Sequence, residues 1–259
     1  MKKKLFVVPI ALLGILSCAS DISPQDPQLN QWTLIFNGKN LDGWQAKFVN
    51  EEFGVNYKNT FKVKDNKLIA SYENWDKFDG RFGHIFYKTP HSHYRLRLEY
   101  RFFGEQAEGA PAWAYRNNGI MAHSQDPSTI AFGESFPASL EMQLLAAESR
   151  NEGEIRTTGN MCSGGTYVFI NGKREDTHCI NSTSKHYPGD QWVTAEIEVL
   201  GNERVRHFIN GEQVFEFTNP HLDNGEPLSQ GYISVQAESH GTEFRNIELK
   251  ILPGDISLQ

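Results

Sequence analysis

The chain has 259 residues, 12% of them aromatic, and a formal net charge of -7. That length holds one large all-β domain or two small ones with a sizeable core. The acidic balance and the lack of a basic patch exclude nucleic acid as a partner, because phosphate binding needs clustered Lys and Arg.

At the N-terminus, Met1-Lys2-Lys3-Lys4 is a positive n-region, and Leu5 to Leu16 is an apolar h-region too short to span a bilayer comfortably. Ile15-Leu16-Ser17-Cys18 then resembles a bacterial lipobox, two aliphatic residues and a small one before the cysteine that takes lipid. Residues 1–17 are expected to be a lipoprotein signal peptide and 18–30 a polar tether rich in Ser, Asp and Pro. The protein is then expected in the bacterial cell envelope, at the outer membrane or in the periplasm, held to the membrane by lipid on Cys18. The alternatives are an uncleaved N-terminal anchor and a plain signal peptide. Of the three cysteines, lipidation takes Cys18 and leaves Cys162 and Cys179. In an oxidising compartment these two can form a disulfide worth about 3 kcal/mol in the chain-entropy model, the alternative being two separate thiols. No CxxC spacing exists and His178, His186 and His207 lack ligand spacing, so no metal site and no cofactor are expected.

From residue 31 onward, period-two patterns dominate and no strong amphipathic helix appears. Trp32 to Phe36 ends in the turn signal Asn37-Gly38. Phe61 to Lys64 and Lys67 to Ala70 flank Asp65-Asn66 as a two-residue hairpin. His84 to Lys88 is a short strand. In Tyr94 to Phe102, Tyr94, Leu96, Leu98, Tyr100 and Phe102 face one way and Arg95, Arg97, Glu99 and Arg101 the other. A Gly- and aromatic-rich loop (Gly104 to Tyr115) leads to a strand over Asn118 to Ser124, and Gln125 to Pro137 is another loop.

Ser139-Leu140-Glu141-Met142-Gln143-Leu144-Leu145 is the stretch that points to function. Its even positions are apolar, and the opposite face carries a carboxylate and a carboxamide roughly 7 Å apart. An acid beside an amide on a rigid strand suits a polyhydroxylated ligand, since both can fix hydroxyl groups and Glu141 can also move protons. The alternative is an ordinary solvated strand face. Beyond a Gly-rich region (Gly153 to Pro188) come strands over Val193 to Val199, Val205 to Ile209 and Gln213 to Phe217, the last two flanking Asn210-Gly211. Ile233, Val235 and Ala237 alternate with Ser234, Gln236 and Glu238, and Phe244 to Ile251 closes the chain's pattern. About a dozen strands with short connections predict an all-β sandwich of two antiparallel sheets, one domain over 31–259.

Phe36-Asn37-Gly38-Lys39-Asn40-Leu41-Asp42-Gly43-Trp44 carries a family resemblance. So do Asn118-Gly119-Ile120, Glu141-Met142-Gln143, and Gln236 to Leu249 with His240-Gly241 and Phe244-Arg245-Asn246-Ile247. Over residues 31–252 the chain resembles the 3-keto-disaccharide hydrolase family. The resemblance implies a concanavalin A-like jelly roll with a sugar-binding concave sheet. It also implies cleavage of glycosides already oxidised to a 3-ketone, hence a functional link to a sugar 3-dehydrogenase. The loop Glu105 to Tyr115 and the region Gly153 to Pro188 look longer than is usual in that family.

A 3-ketone acidifies the C2 proton, so the site needs a base, a donor for the C3 oxygen and an acid for the leaving oxygen. Glu141 is the first candidate for base, and His240 or His123 for donor or acid. Asn118, Gln143 and Gln236 would fix hydroxyls or the ketone, with Glu238 nearby. Arg97 and Arg101 would stabilise an enolate, or merely pair with Glu99 and Glu198 across strands. Trp113 and Tyr115 could stack on a sugar ring, whereas Trp44 reads as core. Glu141, Gln143, Arg97, Arg101, Gln236 and Glu238 are expected on one sheet face, with irregular backbone at 117–119 bringing Asn118 and His123 close. The competing readings are a lectin-like binding module and a conventional glycosidase that recruits Glu238 or Glu198 as a second carboxylate.

Overall fold

In the computed structural model, residues 29–258 are described, and the expected signal peptide, Cys18 and nearly all of the expected tether lie outside them. The chain forms β1 (Trp32–Leu34), β2 (Trp44–Phe48), β3 (Phe61–Lys64), β4 (Lys67–Ala70), β5 (Gly83–Tyr87) and β6 (His93–Gln106). Then follow β7 (Asn117–Ser124), β8 (Ser139–Leu145), β9 (Asn160–Gly164), β10 (Thr166–Ile170), β11 (Lys173–Glu175) and β12 (Cys179–Ile180). The last five are β13 (Val193–Leu200), β14 (Arg204–Ile209), β15 (Glu212–Leu222), β16 (Tyr232–Ala237) and β17 (His240–Ile251).

They build an antiparallel sandwich. The ten-stranded sheet runs β11-β10-β15-β14-β13-β6-β17-β4-β3 with β1 also on β17, and the seven-stranded sheet runs β12-β9-β8-β7-β16-β5-β2. Non-consecutive neighbours such as β6 beside β13 and β17 make this a jelly roll rather than a meander. Both expected two-residue hairpins form, with left-handed φ at Asp65 (51°), Asn66 (58°), Asn210 (48°) and Gly211 (83°), as a hairpin twist demands.

Apolar alternation set the register. Leu96 and Leu98 of β6 meet Leu140, Met142 and Leu144 of β8, and Val235 and Ala237 of β16, in one core between the sheets, all almost fully buried. Strand β2 was not legible, because Trp44-Gln45-Ala46-Lys47-Phe48 breaks alternation: Lys47 is buried and donates to the carbonyls of Phe48 and Glu51.

Arg97 and Arg101 are not beside Glu141. They lie on β6, in the ten-stranded sheet, and point to its outer side. Alternation says which residues share a strand face, but not which sheet takes the strand. Arg97 Nε donates to Glu248 Oε2 at 2.6 Å and Arg101 Nε to Glu243 Oε2 at 2.6 Å. Their guanidinium groups lie over Trp32 at 4.2 Å and Trp192 at 4.7 Å. These partners sit on β17 rather than being Glu99 and Glu198, which pair instead with Arg245 and Arg206.

Candidate active site

The outer face of the seven-stranded sheet carries a cavity of about 640 Å³, lined among others by Asn117, Met121, Glu141, Gln143 and Glu238. Two rows of cross-strand neighbours cross this sheet face, and their members Glu141, Gln143 and Met121 form the cavity floor. One runs Asn160, Gln143, Gly119, and then Gln236, His84 and Lys47 on the far strands; the other runs Cys179, Cys162, Glu141, Met121, Ser234 and Phe86. The pleat alone carries each row to one face.

Gly119 is the gap on which the rows depend. A methyl group there would come within 2.5 Å of Glu141 Oε1 and 2.6 Å of Gln236 Oε1, so both oxygens occupy the space above a residue with no side chain. Gln236 Nε2 donates to Glu238 Oε1 at 3.3 Å, which brings Glu238 into the same group. Glu141 Oε1, Gln236 Oε1, Glu238 Oε2 and Asn117 Oδ1 are enclosed and have no hydrogen-bond partner. Buried polar atoms are normally satisfied, so four enclosed oxygens at one place mark where a polar ligand belongs.

The electrostatics follow from that enclosure. Burial lifts the Glu238 carboxyl to about 8. Glu141 is pushed well above the carboxylate range by burial first and by the Glu238 charge second. Glu141 opens in part to the cavity, yet its Oε1 is fully enclosed, and that atom feels the desolvation. Two carboxyls that each resist ionisation, one more so when the other is charged, titrate as a pair and stay largely protonated at neutral pH.

Gln143 is oriented from the side. Asn160 Nδ2 donates to Gln143 Oε1 at 3.1 Å, and Asn160 Oδ1 is held by Ser182 N at 2.9 Å and Thr157 Oγ1 at 2.7 Å. This fixes the amide so that its NH₂ group is free for the cavity. The Cys162–Cys179 disulfide is formed across β9 and β12, one strand from Glu141. It carries His178, whose Nδ1 bonds Ser163 O at 2.6 Å, on the cavity wall.

Of the residues picked from the sequence, Glu141, Gln143, Gln236 and Glu238 are brought together. Asn118 is not with them. It is wholly buried between the sheets, in a strand whose pairing with β8 runs unbroken from Asn117 to Ala122. Alternation placed it with Ile120 and Ala122, and its amide found partners in the core. Nδ2 donates to Gln236 O at 2.9 Å, and Oδ1 accepts from Gln236 N at 3.2 Å and Gly119 N at 2.8 Å. The side chain stands in for a peptide between β7 and β16.

His123 is also elsewhere. A bulge does occur in β7, but at its other end, where the register against β16 shifts between Tyr232 and Ser234 and His123 takes φ 46°. The bulge turns the ring away from the cavity toward Tyr94, with Nε2 on Gly201 O at 3.0 Å. His240 begins β17 in the ten-stranded sheet, buried between Phe102 at 5.9 Å and Tyr115 at 5.0 Å, and burial lowers it to about 4. It is a neutral core imidazole and does not line the cavity. Sequence reasoning missed Asn117, Met121, Phe136 and the role of Gly119; strand register brings Asn117, Gly119 and Met121 here, and packing of the loop before β8 on Phe82 and His84 brings Phe136. Trp113 lines the cavity, whereas Trp44 is core, its Nε1 donating to Ile35 O at 3.0 Å.

Solved structures share this architecture. Two candidate glycosyl hydrolases from Parabacteroides distasonis align at 17% identity over 85% of this chain and 94% of theirs (TM-score 0.56) and at 18% over 86% and 100% (0.55). A Bacillus subtilis protein of unknown function with a galectin-like fold aligns at 13% over 82% and 90% (0.53). At such identities the likeness is one of fold. No curated protein sequence matches significantly. The family comparison is decisive, because a single family model matches residues 31–250: this chain belongs to the family of 3-keto-alpha-glucoside-1,2-lyase-like domains.

Proposed function

We propose that this protein cleaves 3-keto-glycosides by removing the C2 proton and expelling the C1 substituent. The observation that carries the reading is the enclosed pair Glu141 and Glu238 on one sheet face. Burial raises both carboxyls and they titrate as a pair, so the member that ionises is the base and the one that keeps its proton is the acid. The ionised carboxylate of the pair takes the C2 proton, the electrons form the C1–C2 double bond, and the C1–O bond breaks as the partner carboxyl protonates the leaving oxygen. The free NH₂ of Gln143 is the donor for the C3 oxygen, which gains charge as the proton leaves. Water adding to C1 afterwards would complete a hydrolysis.

The test is release of the aglycone from a 3-keto-glucoside by the purified protein. Glu141→Gln and Glu238→Gln should each lower kcat by roughly 10²–10⁴-fold. Full activity in either variant removes that residue from the chemistry. Equal cleavage of unoxidised glucosides would point instead to a conventional two-carboxylate glycosidase, and binding without turnover to a lectin-like module.

The substrate must come from a reaction that oxidises the sugar at C3, so a sugar 3-dehydrogenase is the expected supplier. The lipobox-like Ile15-Leu16-Ser17-Cys18 supports an envelope location with a lipid anchor at Cys18. Cys18→Ala should move the protein out of the membrane fraction or block its processing; unchanged fractionation and mass would rule the anchor out.

A further inference from the structure

The upper part of the cavity differs in chemistry from its floor. Besides its carboxyls and amides, the cavity's lining includes Trp113, Phe136 and Pro137, together with Gly165, the Cys179 end of the disulfide and Gly164, which packs against Pro137. The aromatic part is braced. Trp113 stacks on Phe82 at 5.5 Å with planes 18° apart, and Phe82 packs on Phe136 at 4.8 Å. One face of the Trp113 indole is thus taken by Phe82, yet the residue remains 51% exposed, so its other face is open.

The polar groups above the floor are largely engaged with each other. His178 Nδ1 is bonded to Ser163 O, and Ser163 Oγ donates to His178 O at 3.4 Å. Ser139 Oγ donates to Pro137 O at 3.0 Å. A second sugar ring placed there would strip water from several hydroxyls and find few partners for them. A flat apolar ring loses nothing by the same burial and gains a stacking surface. The cavity, at about 640 Å³, is much larger than one hexose and falls within the range that encloses drug-sized ligands.

We infer that the cavity takes a glycoside whose leaving group is an aromatic ring stacked on the open face of Trp113, in preference to a second sugar. This rests on the reading of Glu141 and Glu238 as an elimination site. The chemistry is compatible, since a phenol is expelled with less help from an acid than a sugar hydroxyl is.

The experiment compares kcat/KM for the 3-keto form of a phenyl glucoside carrying an electron-donating substituent with that for the 3-keto form of a glucosyl-glucose. In parallel, binding of the unoxidised phenyl glucoside and of the unoxidised disaccharide is measured by calorimetry, which is free of leaving-group acidity. The wild type should favour the aryl compound at least tenfold in both measurements, and Trp113→Ala should bring both ratios toward one, chiefly through KM and Kd. Equal or better use of the disaccharide, or a Trp113→Ala loss equal for both ligands, overturns the inference. If neither 3-keto compound is turned over while aryl binding depends on Trp113, the elimination reading fails and the aryl site stands.

Discussion

At Gly119, the absence of a side chain is what lets two others meet. Glu141 Oε1 and Gln236 Oε1 both lie where a methyl group would stand. Alanine suits a strand at least as well as glycine does, and the atoms in its way, Glu141 Cγ at 2.7 Å and the two oxygens, belong to side chains rather than to backbone. Gly119→Ala should therefore fold with a melting temperature within a few degrees of wild type. It should nevertheless lose about 10²-fold or more in kcat, because a shift of about 1 Å in a catalytic group has that effect. A variant that keeps its rate would show that the positions of Glu141 and Gln236 do not matter to the reaction.

Among the elements, the contact between β7 and β16 is unusual because Asn118 replaces a ladder step with its own amide. Asn118→Leu keeps the volume but strands the Gln236 N–H and C=O in the core, at about 1–3 kcal/mol for each group. The expected outcome is a clear loss in the denaturant midpoint, together with a fall in activity as Gln236 drifts. Unchanged stability would mean that the two strands hold each other without it. The same strands show what could be read in advance. Period two in Leu140, Met142 and Leu144 announced the core face of β8, and so put Glu141 and Gln143 on the other. Asp65-Asn66 and Asn210-Gly211 announced their hairpins, because left-handed φ at both central positions leaves few other choices of residue. The neighbour of Glu141 was beyond reach. Glu238 meets it only because β16 pairs with β7, a matter of register between distant strands. His123 misled for a related reason: a one-residue bulge reverses a side chain, and its place in β7 follows from β16 rather than from local sequence.

For the whole molecule, buried titratable groups set opposing responses to pH. Burial holds His123, His207 and His240 near 4 and His84 near 3, below the imidazole range. The unfolded chain therefore binds more protons below about pH 6.5, and the stability these residues give is lost as pH falls toward those values. The carboxyl pair acts in reverse. With Glu238 raised to about 8, the folded chain binds more protons above about pH 4.5, so this stability is lost as pH rises through 8. Thermal stability should peak on the order of pH 6–7 and decline on both sides, and Glu238→Gln should lessen the alkaline decline, leaving the share that burial of Glu141 gives, without changing the acid one. A wild-type melting temperature that climbs steadily from pH 6.5 to 8.5 would contradict the burial of the pair.

The disulfide lies one strand from the chemistry, and Cys162 stands directly across the ladder from Glu141. The core between the sheets does not include that edge of the molecule's working face. Protein made in a reducing cytosol should therefore be soluble and folded but have a slack rim beside its carboxyl pair. Active-site titration, rather than yield or solubility, would then be the assay that distinguishes a preparation that has passed through an oxidising compartment from one that has not.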